Sequence, residues 1–494
     1  MKAIMVVGTT SHAGKSTLVA GLCRLFWRKG WLVTPFQAQN MTSNAYVTTS
    51  GGQIGYTQAF QSWASKTVPR VEMNPILLKP QDNNTSQLIL RGELIGIIDN
   101  QVYAQNYFDL GWQTITDCLN ILGQEFDLVI CEGAGNPAEI YLKHHDLTNM
   151  RVATHLQADT ILVADIERGG AFSNLVGTLE LLEMEERALV KGIIINKFKG
   201  DVSSLDSSIE RLENLTNIPV LGVLPWFDDT LPFEDSLSLL NQSNKVQNAD
   251  VKIKIIKLPN ISNFTDFDPL EAENNVFIEY INLDDDIGYP DAVIIPDTKT
   301  TMADLRALEA SGMKRKIQEY ERAGGTVFGI CGGYKMLGHN ILNPDHFEEE
   351  ISSLEGLDLL PIETILKSEK ISRQREVFAN YPQANFPVDG YEIHQGYTEL
   401  ITPLAKQRKI KYYPFFDDPS LGLVNENLSV WGCYLHGIFD NGAWRRSWLN
   451  YLRHKRGLSS LPTGISNYRH QRELLIDSLA DFVERNLNLE KIWV

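Results

Sequence analysis

The chain has 494 residues, 43% hydrophobic and 22% charged, an ordinary composition for roughly two or three globular domains with sizeable cores. Its net charge of −17 argues against nucleic-acid binding by the chain as a whole, though a locally basic pocket for an anionic substrate remains open. Five scattered cysteines (Cys23, Cys118, Cys131, Cys331, Cys433) form no CxxC pair, which argues against a disulfide framework or zinc ribbon and for a reducing compartment.

Met1–Val7 is apolar but far shorter than the roughly 18 residues of a spanning helix, so no membrane segment is expected and the cytoplasm is the default. Ala3–Val7 reads as a strand, Lys15–Lys29 as a helix and Trp31–Thr34 as the next strand. Leu128–Cys131, Thr160–Ala164, Gly192–Ile195 and Val220–Leu224 are further short apolar runs, with helical stretches between the later ones. Strands separated by helices imply parallel pairing with right-handed crossovers, hence an open α/β sheet over residues 1–227.

Residues 228–250 are polar, rich in Ser, Asn and Asp, and read as a linker. A second α/β series then follows over 251–445, with Lys252–Leu258, Ala292–Ile295 and Thr326–Ile330 as strands. Residues 446–494 read as a helical extension expected to pack on this second domain.

The first motif with chemistry is GTTSHAGKST, Gly8–Thr17, between a strand and a helix. Gly8 and Gly14 let the backbone turn so that amides point at phosphate oxygens. Lys15 neutralises the β/γ-phosphates, and Ser16 or Thr17 offers a hydroxyl to Mg²⁺. The expected ligand is ATP with Mg²⁺. The five-residue spacer between the glycines resembles that of the dethiobiotin-synthetase-like ligases.

Glu132 follows the strand Leu128–Cys131, where a carboxylate can share the Mg²⁺ with Ser16. Asp165 follows the next strand, and its neighbours Arg168, Gly169 and Gly170 suit a phosphate or carboxylate. Asn196 and Lys197, after Gly192–Ile195, are placed near the adenine or the phosphates.

The second motif is Gly329-Ile330-Cys331-Gly332-Gly333, a strand–helix turn whose glycines fit the crowded bend of a nucleophile elbow. The following helix is expected to lower the Cys331 pKa through its N-terminal dipole. His436, in GCYLHGIFD beyond the strand end Tyr434–Leu435, is the expected base. His394, in YEIHQG, is the rival.

These residues, together with PFQAQNMTSN (35–44), EMNPILLKP (72–80), CEGAGNPAEI (131–140), DIERGGAF (165–172), INKFKGD (195–201) and YLHGIFD (434–440), resemble the cobyric acid synthases. Those are glutamine-hydrolysing members of the CobB/CobQ-type class I glutamine amidotransferase family. The resemblance runs from the phosphate loop to about residue 445.

It implies a P-loop, dethiobiotin-synthetase-like domain followed by a class I amidotransferase domain. It also implies ATP-dependent amidation of the b, d, e and g carboxylates of adenosylcobyrinic acid a,c-diamide through acyl phosphates. Glutamine supplies nitrogen by way of Cys331 and His436. Gln39, Asn40, Ser43 and Asn44 would, by the same resemblance, face the corrinoid or the nucleotide. As sequence alone, a polar loop is the better reading of them.

The chain departs from the wider pattern in three places. Ile438 stands two residues after His436, where many class I members carry glutamate, so a Cys–His dyad is expected. Lys335 replaces a usual glutamine, and Asp297 replaces the glycine of a turn that could donate an oxyanion amide. Two other readings stay open. One is the same chemistry on another acceptor; the other is a regulatory P-loop ATPase with a noncatalytic amidotransferase domain.

Overall fold

A strand flanked by helices on both sides must bury both rows of its side chains. The computed structural model shows this in the first strand: Ala3, Met5 and Val7 enter one core, Ile4 and Val6 the other. The structure describes all residues except 82–83, 100–106, 142, 228–248, 347, 349, 409 and 492–494. Apart from Ala249 and Asp250, the expected linker lies outside the described residues.

The chain divides into two units, Met1–Thr42 with Gly52–Glu234 and Arg472–Val494, and Ser43–Gly51 with Asp235–Gln471. In the first, β1 (Lys2–Gly8), β2 (Val33–Phe36), β3 (Leu128–Glu132), β4 (Asp159–Asp165), β5 (Val190–Phe198) and β6 (Val220–Pro225) form one sheet in the order β6-β5-β4-β1-β3-β2. All pairings are parallel, as expected from the strand–helix alternation. Helix α1 spans Lys15–Arg28, and β2 lies two residues later than the sequence suggested.

The C-terminal tail departs from expectation. Residues from Arg472 belong to the first unit, where Ile476, Leu479, Val483 and Leu487 join the core that α1 covers. Their helical spacing makes one apolar stripe. The buried Arg24 fixes its placement, donating to Glu473 at 2.7 Å and Asp477 at 2.9 Å.

The second unit contains β7 (Val251–Ile256), β8 (Val276–Ile281), β9 (Ala292–Ile295), β10 (Val327–Ile330), β11 (Tyr412–Pro414), β12 (Gly422–Asn425) and β13 (Val430–Cys433). Their order is β8-β7-β9-β10-β13-β12-β11, parallel until β13 and antiparallel beyond it. Phe328 on β10 is packed by Phe415, Trp431, Phe439, Trp444 and Trp448, so helix Gly442–Lys455 closes this unit.

Two further pieces serve the site of this unit. A long hairpin, Ile362–Ala379 with Phe386–Leu400, carries Tyr391 and His394. The segment Ser43–Gly51 is the other, an excursion of the early chain that a linear division of domains at residue 227 does not foresee.

Candidate active sites

In the first unit the loop after β1 turns at Gly14 with φ +98°, a left-handed conformation that favours glycine. A Cβ there would also stand 2.0 Å from the Asn196 amide nitrogen. Asn196 donates that nitrogen to the Ala13 carbonyl at 2.8 Å, and Lys197 donates to the His12 carbonyl at 2.7 Å and to Asp165 at 2.9 Å. Both residues therefore hold the loop backbone in shape. Lys15 is buried, its ammonium 3.2 Å from the Thr10 carbonyl.

Ser16 Oγ donates to Glu132 Oε1 at 2.5 Å, and Gln61 donates to the other carboxylate oxygen at 2.6 Å. A hydroxyl and a buried carboxylate meeting at the phosphate loop are hard oxygen donors of the kind Mg²⁺ takes. Gln61 has no sequence signal; only the folded chain brings it to Glu132. Arg168 is exposed, 3.8 Å from Asp165. Replacing Lys15 with Ala is expected to weaken ATP binding by roughly 100-fold or more, checked by calorimetric titration.

The polar run after β2 is split between the units. Asn40 donates to Gln58, which donates to Gln37, in a buried chain of amides within the first unit. Gln39 and Ser43 are half-buried. Asn44 lies in the second unit, buried, where its Oδ1 accepts the Phe264 amide proton at 3.1 Å.

In the second unit Cys331 follows β10 at φ +50°, the strained geometry of an elbow. A Cβ on Gly333 would meet the Ile295 carbonyl oxygen at 2.0 Å, which is why the bend needs glycine. Cys331, His436 and Asp297 present sulfur, nitrogen and oxygen all within 4.8 Å of one another. His436 is fully buried, stacked on the Tyr391 ring and held by two backbone hydrogen bonds to Tyr391. His394 does not join this group. Its ring stacks on Tyr434, with Nδ1 3.2 Å from the Gly396 carbonyl and Nε2 3.4 Å from Glu392.

The expected dyad is corrected by the geometry. His436 Nδ1 lies 2.7 Å from Asp266 Oδ2, while Asp266 Oδ1 accepts the Gly437 amide at 2.8 Å. An orienting carboxylate is present, supplied from 170 positions away instead of from position 438. With Nδ1–H donating to Asp266, His436 Nε2 is left without a nitrogen or oxygen partner and can take the Cys331 proton. Burial opposes the imidazolium, but the charge and hydrogen bond of Asp266 raise the His436 pKa well above its ordinary value.

Cys331 also differs from expectation. Burial, then the Asp297 carboxylate, push its thiol up to about 11 against the opposing pull of His436 and Lys335. The helix behind it, Gly332–Met336, has only five residues, too short a dipole to prevail. Lys335 is buried and donates to the Gln395 carbonyl at 2.9 Å.

Each of the two units matches a known family. Residues 4–236 match the family model of the CobQ/CobB/MinD/ParA nucleotide binding domain, and residues 252–444 that of the CobB/CobQ-like glutamine amidotransferase domain. The cobyric acid synthase of Rippkaea orientalis is 59% identical over 493 residues, covering 100% of both chains. That of Microcystis aeruginosa is 60% identical, covering 100% of this chain and 99% of its own. That of Synechocystis is 58% identical over 492 residues, covering 100% and 98%. With its phosphate loop and its cysteine elbow on one polypeptide, matched end to end at this level, the chain belongs to the cobyric acid synthase family of glutamine-dependent, ATP-using ligases.

Proposed function

We propose that the chain amidates the b, d, e and g carboxylates of adenosylcobyrinic acid a,c-diamide, with ATP activating each carboxylate and glutamine supplying the nitrogen. The observation that carries this reading is the coexistence of a phosphate loop joined to Glu132 with a cysteine–histidine–aspartate group, in a chain matched over its full length by cobyric acid synthases.

In the second unit, His436 Nε2 takes the thiol proton as Cys331 Sγ attacks the glutamine carboxamide. The same nitrogen then protonates departing ammonia, leaving a γ-glutamyl thioester on Cys331 that water hydrolyses to glutamate. In the first unit, an acceptor carboxylate oxygen attacks the γ-phosphorus of ATP and ADP departs. Ammonia then adds to the acyl phosphate and expels inorganic phosphate, leaving the amide. Activation is needed because a carboxylate is a poor electrophile, whereas phosphate leaves readily.

Lys15 offsets charge on the transferred phosphoryl group. Ser16 and Glu132 would hold Mg²⁺, which supplies further charge neutralisation at the phosphates. Asn196 and Lys197 act one step back, engaging the loop carbonyls of Ala13 and His12 and so holding the loop backbone in shape. Arg168 is left as a contact for the acceptor's carboxylates, its guanidinium exposed beside the loop-facing Asp165.

The test is incubation of the full chain with adenosylcobyrinic acid a,c-diamide, glutamine and Mg-ATP, following the corrinoid by mass spectrometry. Stepwise, ATP-dependent carboxylate-to-amide conversion is expected. An unchanged corrinoid with continuing ATP and glutamine hydrolysis would reject this acceptor and keep the chemistry.

A further inference from the structure

The backbone amide that follows a nucleophile in such an elbow is the ordinary donor to the oxyanion of the tetrahedral intermediate. Here that amide is taken. Gly332 N–H donates to Asp297 Oδ1 at 2.9 Å, inside the 2.7–3.1 Å range at which such a donor acts on an oxyanion. We propose that Asp297 is a built-in plug of the glutaminase site: its carboxylate occupies the oxyanion position, and it must swing out before glutamine can be attacked.

Three observations support the plug. First, the carboxylate is held on its other side too. Asp297 Oδ2 accepts from Ser262 Oγ and from Asn263 Nδ2, both at 2.8 Å, and Asp297 pairs with Ser262 in a short antiparallel ladder. A buried carboxylate with three donors is latched in place and not a passing rotamer.

Second, Asp297 competes with the nucleophile for its base. Its Oδ2 is 3.8 Å from His436 Nε2, the nitrogen that must receive the thiol proton. While the carboxylate stays, the imidazolium has a resident counter-ion and gains less from a thiolate. The negative charge also opposes ionisation of Cys331 directly.

Third, the latch is tied to the excursion Ser43–Gly51. Asn263 Oδ1 accepts the Ala45 amide at 3.0 Å, and Tyr391, whose ring lies on His436, donates its hydroxyl to the Ala45 carbonyl at 3.2 Å. The segment therefore braces both the residue that holds the plug and the ring that holds the base.

The inference rests on the glutaminase half of the proposed function and not on the acceptor. Its test is glutamate release from glutamine by the full chain, with neither ATP nor corrinoid present. Asp297→Gly is expected to raise kcat/KM for glutamine at least tenfold. Asp297→Asn, which keeps an acceptor for Gly332 but loses the charge, should rise less. Ser262→Ala, which removes one latch donor and leaves Cys331, His436 and Asp297 in place, should rise in the same direction.

Iodoacetamide labelling of Cys331, read by peptide mass, should quicken in step with each variant. Glutaminase that is unchanged or lower in Asp297→Asn and Ser262→Ala, with Cys331 still labelled at the wild-type rate or faster, would overturn the plug. Absence of glutamine turnover in every variant would overturn it as well. The acceptor reading is tested separately by amidation with added ammonia.

Discussion

Cys331→Ser is expected to cut glutamine-driven amidation by about 10³-fold or more while amidation with added ammonia continues. The substitution changes one atom in a site with no room to spare. Serine fits the φ +50° bend and the wall of backbone around Gly333 as cysteine does, so the fold is retained. The chemistry is not retained. A hydroxyl ionises several pH units above a thiol, so His436 Nε2, although Asp266 makes it more basic, meets a proton that is much harder to take.

In the proposed mechanism ammonia bypasses this step, since free ammonia would react at the phosphate-loop unit without the cysteine. Mass spectrometry of the corrinoid with each nitrogen source, at one pH, makes the comparison. Unchanged glutamine use would remove Cys331 as nucleophile. Loss of both reactions would mean that the damage is not confined to nitrogen release.

What the sequence shows well is whatever depends on neighbours along the chain. The phosphate loop was legible because glycine, lysine and hydroxyl must sit at fixed offsets to wrap one anion, and Glu132 because carboxylates at parallel strand ends collect at one sheet edge. The parallel sheets followed from the strand–helix alternation. The cysteine elbow was legible for the same local reason.

The rest depended on long-range packing. Ile476, Leu479, Val483 and Leu487 declare an apolar stripe, but nothing local says that α1 is its partner and that the tail belongs to the first unit. Asn44 looks like any polar loop residue until its carbonyl is found capping the Phe264 amide. The helix after Cys331 argues for a lowered thiol pKa, whereas burial and Asp297, both products of the tertiary fold, decide the direction. The absence of a carboxylate at position 438 says nothing about the space beside the His436 ring, which Asp266 fills from another element.

Asp266→Asn tests that replacement. The amide has the carboxylate's shape and can still accept the Gly437 amide proton, so the loop bearing His436 should stay in place. Its Nδ2, however, presents a donor to His436 Nδ1 where a carboxylate presented an acceptor. The imidazole then adopts the tautomer with its proton on Nε2, the atom that must accept from Cys331. The expected loss in kcat/KM for glutamine is about 10²–10⁴-fold, by analogy with the effect of a reversed tautomer in a serine triad.

A positioning role predicts more than a loss. Without the anion that raises it, the imidazolium becomes a weaker partner for the thiolate. The other groups acting on that thiol, the Asp297 carboxylate raising its pKa and the Lys335 ammonium lowering it, are unchanged by the substitution. The pH at which iodoacetamide labelling of Cys331 reaches half its maximum should therefore move upward, and Asp266→Glu should restore part of both the rate and the profile. A merely structural Asp266 would lower the melting temperature and the activity together, leaving the labelling profile where it stands in the wild-type chain.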